Sequence, residues 1–330
     1  MKNLFWLAFS CVKGVGDKTV IELYRQHPYI DFDLVRNEEF LKILPQKFIK
    51  FLTVEALQEG ERRAKALIEI HEQKGIEVIP INSGKYPIAL RMIDDPPAVL
   101  YAKGNVSLLE RLDMVAIIGT REPTEIGILS GRRIAATFAE MGYVVVSGLA
   151  LGIDTAGHEG ALRVTDGKTI AVMAGDLTTV YPAKNKPLVQ EILKKDGLLI
   201  SETPIGKANT RGNFVKRDRI QSGLSLGVCP VQTPIKSGTQ HTIQFSREQK
   251  RLLFTPTVLP ADLQENAVQG NLELLQEKGV MELKNKESYV EIVKKMNEVK
   301  VRILQEDTVI HTKKKLEIKT SPLCEQVKLF

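Results

Sequence analysis

The first 75 residues carry apolar side chains at helical spacing. FWLAFSCV opens this region, and FIKFLTVEALQEGERRAKALIEIHEQKG closes it, with Gly75 as the expected end of the last helix. Strand-like apolar runs are lacking here. The pattern therefore predicts a small all-helical domain over residues 1–75.

From residue 76 onward, short apolar runs alternate with helical stretches. Residues 76–105 predict a strand, a short helix and a second strand, and VAIIGT, YVVVSG, TIAVMAG and LLISE follow as further strands. LSLGVCPVQT and LLFTPTV add two more. Continuously apolar strands that alternate with helices are typical of a parallel sheet covered on both faces. The chain is therefore predicted to have an α/β fold over residues 76–297.

The end of the chain is less regular. Residues 266–297 predict a closing helix, a short strand and another helix. Residues 298–330 lack a strong apolar period and contain three consecutive lysines at positions 313–315. We interpret this last segment as a C-terminal tail, part of which has no fixed structure.

Composition and charge narrow the class of protein. Of the 330 residues, 43% are hydrophobic, which suffices for a packed core, and the net charge is +6. Residues 207–251 contain nine Lys or Arg and two acidic residues, so this stretch carries the whole basic excess. A basic excess confined to one stretch is typical of a polyanion-binding surface, although scattered surface charges would give the same composition.

Neither cysteine nor histidine usage indicates special chemistry. The three cysteines are far apart and the five histidines show no metal-ligand spacing, so we expect no disulfide framework, no metal and no cofactor. No apolar run approaches the ~20 residues that span a membrane. The apolar start lacks the cleavage site of a signal peptide, so a cytoplasmic protein is expected.

Polar and glycine-rich segments follow the predicted strands. In an open parallel sheet, ligands bind outside the carboxyl ends of the strands. Gly119, Thr120 and Arg121 follow one strand, and Ser147 and Gly148 follow the next. Glycine lets backbone N–H groups approach an anion, and arginine presents a planar fork to a phosphate. The sequence lacks the fingerprints G-x-G-x-x-G and G-x-x-x-x-G-K-[ST], which disfavours a dinucleotide-binding enzyme and a P-loop ATPase.

The segment FVKRDR, residues 214–219, combines an aromatic residue with cations. If it is a strand or an extended loop, Arg217 and Arg219 face the same side, because they are two residues apart. The arginines and Lys216 would then neutralise phosphates, and Phe214 would stack on a base. Alternatively, Phe214 is a core aromatic, and one arginine pairs with Asp218 or another carboxylate.

In order along the chain, VAIIGTREPTEIG, VVVSGLALGIDTAGHEGAL, TIAVMAGDLTTVYP, LLISETPIG and FVKRDRIQSGLS resemble the motifs of the DNA-processing protein A (DprA/Smf) family. QGNLELLQEKGV resembles the closing segment of that family. The resemblance implies an extended Rossmann-type fold after a small helical domain, and a non-enzymatic homodimer that binds single-stranded DNA. It also implies that the protein protects incoming DNA and loads the RecA recombinase during natural transformation.

The resemblance and the chemistry of the strand ends select one set of DNA-binding residues. The set consists of Gly119, Thr120, Arg121, Ser147, Gly148, Phe214, Lys216, Arg217, Arg219, Lys236, Ser237 and Gly238. The turn KGVG, residues 13–16, resembles a helix–hairpin–helix element, whose glycines approach a phosphate. A tight glycine turn within a helical domain is the simpler interpretation of this turn.

Several positions depart from the family pattern. Asp218 replaces the usual Asn between the two arginines and adds a carboxylate near phosphates, while Thr233 and Pro234 replace an acidic residue. Gln240 and His241 stand where apolar or small residues are usual. Residues 298–330 are too few for the C-terminal winged-helix domain that many members carry. The chain is therefore identified as a divergent member of the family.

Two other functions suit the same fold class. A nucleotide hydrolase would use an acid or base at the strand ends, where Asp154, His158 and Glu202 lie. The P-G-G-x-G-T motif of the cytokinin-activating phosphoribohydrolases is absent from the sequence, and the two carboxylates are more simply interpreted as helix caps or ligands of backbone N–H groups. A nucleotide sensor would saturate with a mononucleotide and depend little on salt, whereas a DNA binder gains affinity with oligomer length.

Overall fold

The structure is a computed structural model that describes the backbone of residues 4–320 and the side chains of residues 4–308. In this part of the chain, five α-helices precede the first strand: α1 (Leu4–Ser10), α2 (Asp17–Gln26), α3 (Glu38–Ile43), α4 (Gln46–Ile49) and α5 (Val54–Glu72). The side chains of Asn37 and Thr53 accept hydrogen bonds from backbone N–H groups in the first turns of α3 and α5. These caps fix where the two helices begin.

Strands and helices then alternate. In chain order the elements are β1 (Glu77–Pro80), α6 (Ile88–Arg91), β2 (Val99–Gly104), β3 (Met114–Ile118), α7 (Glu125–Glu140), β4 (Val144–Ser147), α8 (Ile153–Leu162), β5 (Thr169–Val172), α9 (Lys186–Lys194), β6 (Leu198–Ser201), α10 (Arg211–Leu224), β7 (Gly227–Pro230), α11 (Thr239–Glu248), β8 (Leu252–Pro256), α12 (Gln269–Leu274), β9 (Met281–Leu283) and α13 (Lys286–Thr320). Each apolar run of the sequence analysis is a strand of this series.

The described strands form one nine-stranded sheet in the order β1-β2-β6-β5-β4-β3-β7-β8-β9. Strand β2 pairs antiparallel with β1 and with β6, and every other pair is parallel. The chain steps outward from β3 to β6 and then returns through α10 to β7, on the other side of β3. On the way α10 contacts β3, β4 and β5.

Alternate residues of β3 face opposite sides of the sheet. Ile117 belongs to one hydrophobic cluster with Phe138 of α7 and Ile153 of α8. Ala116 belongs to another cluster with Ile243 of α11. A strand covered by helices on both faces must be apolar at every position, which is why β3 reads as an unbroken apolar run. The predicted α/β fold with helices on both faces is confirmed.

The N-terminal helices and the sheet share one core. Phe5 of α1 lies in the same hydrophobic cluster as Leu100 of β2. His71 of α5 is buried, and its Nε2 accepts a hydrogen bond of 3.0 Å from the backbone N–H of Ile205, in the loop after β6. The predicted boundary at residue 75 coincides with a turn at Gly75 but not with a break in packing, so this division of the chain stays a prediction.

Helix α13 closes the described fold. It continues past residue 298, where we placed the start of a tail, and its residues Val299 and Ile303 are buried in the core. Residues 321–330 of the predicted tail lie outside the described residues. Among the helices between residues 4 and 320, none is long and apolar enough to cross a membrane.

Candidate nucleic-acid interface

A crevice lies at the carboxyl ends of β3, β4 and β5, where α10 crosses them. It consists of two adjoining cavities of about 210 and 60 Å³ that share four lining residues: Gly148, Tyr181, Phe214 and Arg217. We call it the tip crevice. Its position follows from the topology, because parallel strands present their carboxyl ends at one edge of the sheet.

One wall of the tip crevice places aromatic rings beside an exposed arginine. The guanidinium carbon of Arg121 lies 5.8 Å from the centre of the Phe214 ring. Tyr181 meets the same ring nearly edge-on, with 5.7 Å between the ring centres, and is 60% exposed. A flat apolar surface beside a cation can stack a base and neutralise a phosphate without reading sequence. Phe214 is half-buried at this wall, where a stacking role is sterically possible.

Arg217 reaches the tip crevice through space that a glycine leaves free. Its side chain is buried, and Nη1 donates a hydrogen bond of 3.3 Å to the carbonyl oxygen of Val172 at the end of β5. A Cβ atom on Gly148 would overlap this Nη1. Glycine is therefore required at position 148 by the packing of Arg217.

The loop between β4 and α8 is held by a buried carboxylate. The backbone N–H groups of Gly148 and Ala150 donate to Oδ2 of Asp154 at 3.1 and 3.3 Å. Leu149 between them has a φ of 62°, and its carbonyl oxygen accepts a 2.8 Å hydrogen bond from Asn185. Asp154 is thus a ligand of backbone N–H groups, which confirms the interpretation from the sequence.

Ionisable side chains lie beneath the tip crevice around Arg217. Burial raises the pKa of Asp154, and it raises the pKa of Asp218 to about 7, although the guanidinium of Arg217 opposes both shifts. Burial lowers the pKa of His158 to about 3, and its Nδ1 lies 2.7 Å from Oγ1 of Thr169. At neutral pH the imidazole is therefore uncharged and hydrogen-bonded within the core.

The segment that carries Phe214, Arg217 and Arg219 is helix α10, so the prediction that the two arginines face the same side was wrong. Residues two apart on a helix are about 200° apart around its axis. Arg219 points away from the tip crevice to Glu202, whose carboxylate accepts from Nη1 at 3.0 Å and from Nη2 at 2.7 Å. The helix escaped prediction because buried positions from Arg217 to Ser222 are mostly polar, which hides the helical period.

A second groove, of about 830 Å³, lies on this other side of α10. Arg219 lines it together with Lys216, which is exposed, and with Asp17 of α2. The predicted residues Lys216 and Arg219 are therefore separated from the tip crevice by α10 itself. The Nε of Arg219 lies 2.9 Å from a carboxylate oxygen of Asp95, so its charge is balanced by two carboxylates.

Gly119, Thr120 and Ser147 line neither cavity of the tip crevice. The backbone N–H of Thr120 donates to the carbonyl oxygen of Gln232 at 2.8 Å, which joins the ends of β3 and β7. Ser147 is fully buried, and its hydroxyl donates to the carbonyl oxygen of Ile117 at 2.6 Å. These residues hold the strand ends in place, while Arg121 alone of the first tip reaches the ligand side.

The loop after β7 holds three more predicted residues: Lys236, Ser237 and Gly238. These line neither cavity. The hydroxyl of Ser237 lies 2.8 Å from that of Thr233, and Nε2 of Gln240 donates to the carbonyl oxygen of Pro234 at 3.1 Å. Three of the positions that depart from the family pattern, Thr233, Pro234 and Gln240, therefore form one local network that closes this loop.

Sequence reasoning missed Tyr181, Lys207 and Asn209, which line the larger cavity. Tyr181 lies in the segment after β5, and Lys207 is the first residue of the basic stretch that follows β6. Their position after the ends of strands was the signal that could have identified them as site residues. The basic stretch itself is not a continuous cationic surface. Arg219 and Arg251 within it are buried, and Arg251 donates to two backbone carbonyl groups.

Comparison with known proteins places the chain in a family. A model of the family described as DNA recombination-mediator protein A matches residues 77–294. Protein Smf of Synechocystis is 35% identical over 272 residues, which are 80% of this chain and 66% of that protein. DNA processing protein DprA of Bacillus subtilis is 37% identical over 211 residues, which are 64% of this chain and 69% of that protein. The chain thus spans about two thirds of the length of these relatives.

Solved structures agree with the sequence relatives. DNA processing protein A of Streptococcus pneumoniae superposes with a TM-score of 0.68 at 26% identity, over 88% of this chain and 97% of that one. DNA processing protein A of Helicobacter pylori, described with its single-stranded DNA binding mode, superposes with a TM-score of 0.59 at 30% identity. That superposition covers 67% of this chain and 96% of the other. The chain therefore belongs to the DNA recombination-mediator protein A family.

Proposed function

We propose that the chain binds single-stranded DNA in the tip crevice. The observation that carries this proposal is the wall in which Arg121 lies over Phe214 and Tyr181 meets the same ring. The exposed ring of Tyr181 and the half-buried ring of Phe214 offer every base a stacking partner, and a neighbouring guanidinium neutralises a phosphate. The Helicobacter pylori relative, described with a single-stranded DNA binding mode, supports the same ligand class here.

The charges at the tip crevice favour an anionic ligand. Among residues 4–308, whose side chains the structure describes, Arg121, Lys207 and Arg217 line its two cavities, against one lining carboxylate, Asp176. That carboxylate already accepts hydrogen bonds from the backbone and hydroxyl of Thr178. A strand of DNA would place phosphates along Arg121 and Lys207 and a base against Phe214.

We propose further that the protein acts on DNA as a carrier and not as an enzyme. The side chains that a hydrolase would use are engaged elsewhere. Asp154 binds the backbone of the β4–α8 loop, Glu202 pairs with Arg219, and His158 bonds Thr169 within the core. In this proposal a cytoplasmic homodimer protects incoming single strands and loads RecA on them during natural transformation. The relatives named DNA processing protein DprA support the coarser part of this proposal, a role in DNA processing.

Equilibrium binding of a fluorescent oligothymidylate at two salt concentrations tests the first proposal. We expect affinity that increases with oligomer length and falls as salt rises, because bound phosphates release counterions. Unlabelled single strands should displace the probe and duplex DNA should not. Failure to bind any single strand at low salt would rule the proposal out.

A nucleotide sensor is the second candidate, because Phe214 and the residues that follow β5 line one enclosed part of the tip crevice, a cavity of about 210 Å³. The same titration distinguishes the two functions. Displacement of the probe by a mononucleotide, together with weak dependence on salt and length, would favour the sensor. RecA loading is tested separately, by whether the protein accelerates RecA filament formation on DNA covered by a single-strand-binding protein.

A further inference from the structure

Arg217 lies between two buried carboxylates that come from different helices. Its Nε is 3.2 Å from Oδ1 of Asp218 on α10, and its Nη1 is 3.8 Å from Oδ2 of Asp154 on α8. The exposed fractions of the three residues are only 5 to 9%. Arg217, which lines the tip crevice, is therefore a fixed cation flanked by two buried groups that can each carry a negative charge.

The two carboxyl groups are not equivalent. Asp154 accepts two backbone N–H groups of the β4–α8 loop, which favour its ionised form. Asp218 accepts a single side-chain hydrogen bond, of 3.0 Å from Gln221. The side chain of Asp218 is 12% exposed, so water reaches it. Asp218 is therefore the carboxyl group that exchanges a proton more easily.

Other charged groups around Asp218 shift its pKa. Burial and the neighbouring Asp154 raise its pKa, to about 7, while Arg217 and Arg121 act in the opposite direction. His158 lies in the same region but is uncharged at neutral pH. A phosphate in the tip crevice would add a negative charge on the other side of Arg217 and Arg121. The same two guanidinium groups would then face one more anion than they can neutralise.

We propose that binding of DNA in the tip crevice is coupled to uptake of one proton by Asp218. This inference rests on the proposed function. A phosphate at Arg217 competes with Asp218 for that guanidinium in surroundings that water screens poorly, and protonation of the carboxyl removes the competition. The neutral carboxyl group still offers an oxygen to Gln221, so the packing of α10 is retained.

The coupling gives a definite dependence of affinity on pH. Below the pKa of Asp218 in the free protein, the carboxyl is already protonated and affinity is insensitive to pH. Above it, each DNA molecule that binds must also recruit a proton, so the Kd rises with pH. For one coupled proton the rise approaches about tenfold per pH unit.

Three forms of the full-length chain test the coupling. The Kd for oligothymidylate is measured from about pH 6 to about pH 8.5 at constant ionic strength, which brackets the pKa of Asp218 near 7. Neither thymine nor a phosphodiester titrates across this range. Asp218→Asn removes the proton site, and Asp166→Asn, at an exposed position before β5, makes the same chemical change at the other end of the strands.

For the native chain and for Asp166→Asn we expect the Kd to rise with pH, by about tenfold per unit at the upper end. For Asp218→Asn we expect a flat profile and tighter binding than the native chain at high pH. Calorimetry of the native chain in buffers with different ionisation enthalpies should show close to one proton taken up at about pH 8.

A native Kd that does not change with pH would overturn the coupling, as would a slope in Asp218→Asn equal to the native one. If Asp218→Asn fails to fold, the calorimetric proton count of the native chain decides, and a count of zero overturns the coupling. Binding at every pH without a slope leaves the proposed function standing, whereas absence of binding at every pH overturns both.

Discussion

Nη1 of Arg217 occupies the space that a side chain on Gly148 would need. The guanidinium and the loop after β4 are therefore fixed by each other, and neither can be placed without the other. The hydrogen bond from Arg217 to Val172 and the ion pair with Asp154 both depend on this close approach.

Gly148→Ala should displace Arg217 and weaken the binding of single-stranded DNA. The added methyl group overlaps a buried side chain that pairs with two carboxylates, so the guanidinium must leave its pocket. We expect a loss of DNA affinity of at least about tenfold and destabilisation of about 1–3 kcal/mol from overpacking. Fluorescence binding and urea unfolding measure the two effects. Gly84→Ala, where a Cβ atom meets no neighbour within 4 Å, is the matched control, and equal affinity of both variants would contradict this geometry.

Arg121→Ala should weaken the binding of single-stranded DNA by the same factor whatever the base sequence of the DNA. Arg121 is exposed beside Phe214, so the substitution removes one phosphate contact without disturbing the core. The slope of log affinity against log salt should fall in magnitude by about 1. Lys278→Ala removes an exposed cation that lines neither cavity of the tip crevice and should keep the native slope. A native salt slope in Arg121→Ala would exclude Arg121 from the DNA path.

Phe214→Ala should reduce affinity without changing the salt slope. The ring offers a stacking surface but no charge, and loss of one stacked base costs about 1–3 kcal/mol. The variant should therefore bind oligothymidylate roughly five- to 150-fold more weakly at any salt concentration. Phe214→Tyr keeps a flat ring and should bind nearly as the native chain does. Equal affinities of the alanine and tyrosine variants would show that the ring does not stack on DNA.

The main effect of Arg217→Ala should be a loss of folding stability, not a specific loss of DNA binding. It leaves Asp154 and Asp218 buried without their common cation, and removal of one partner from a buried ion pair costs about 3–5 kcal/mol. Chemical unfolding at neutral pH should show this loss. It should be smaller in Arg217→Ala combined with Asp218→Asn, since that pair of changes removes one buried charge together with its partner. An unfolding free energy of Arg217→Ala equal to that of the native chain would contradict the buried ion pairs.

His158 should contribute to acid unfolding. Burial lowers its pKa from 6.5 to about 3, so the unfolded chain binds a proton that the folded chain refuses. The stability that this group contributes is present above about pH 6.5 and is lost as the pH falls toward 3. His158→Gln cannot titrate and should flatten the dependence of the unfolding free energy on pH in this window. If the unfolding free energy of His158→Gln falls with decreasing pH as steeply as that of the native chain, groups other than His158 cause the acid sensitivity.

The sheet could be predicted because its strands are buried on both faces. β3 and β4 are apolar at nearly every position, and each is followed by a glycine that ends the run. A continuous apolar run that ends at a glycine is a local signal. It can be recognised without knowing which strands or helices the run packs against. The place of the tip crevice followed from the same reasoning, because parallel strands end at one edge.

The helix α10 could not be predicted in the same way. Its buried positions include Arg217, Asp218 and Arg219, which are satisfied by Asp154, Gln221 and Glu202 from elsewhere in the chain or the next helical turn. An apolar period is the expected sign of a buried helix face, and here polar pairs take its place. These partners determine that Arg217, and not Arg219, lies at the tip crevice. The spacing of residues in the sequence does not reveal such partners.

The hydrogen bond from Ile205 to His71 gives the N-terminal helices a part in shaping the tip crevice. Ile205 lies two residues before Lys207, which lines the larger cavity, and its N–H would lose its acceptor in a fragment that begins after α5. The same fragment would lose the His71 ring that stacks on Tyr101 of β2, with 4.5 Å between the ring centres. A change in the N-terminal helices can therefore alter the reach of this loop lysine, and with it the charge that lines the tip crevice, while every strand-end motif stays the same.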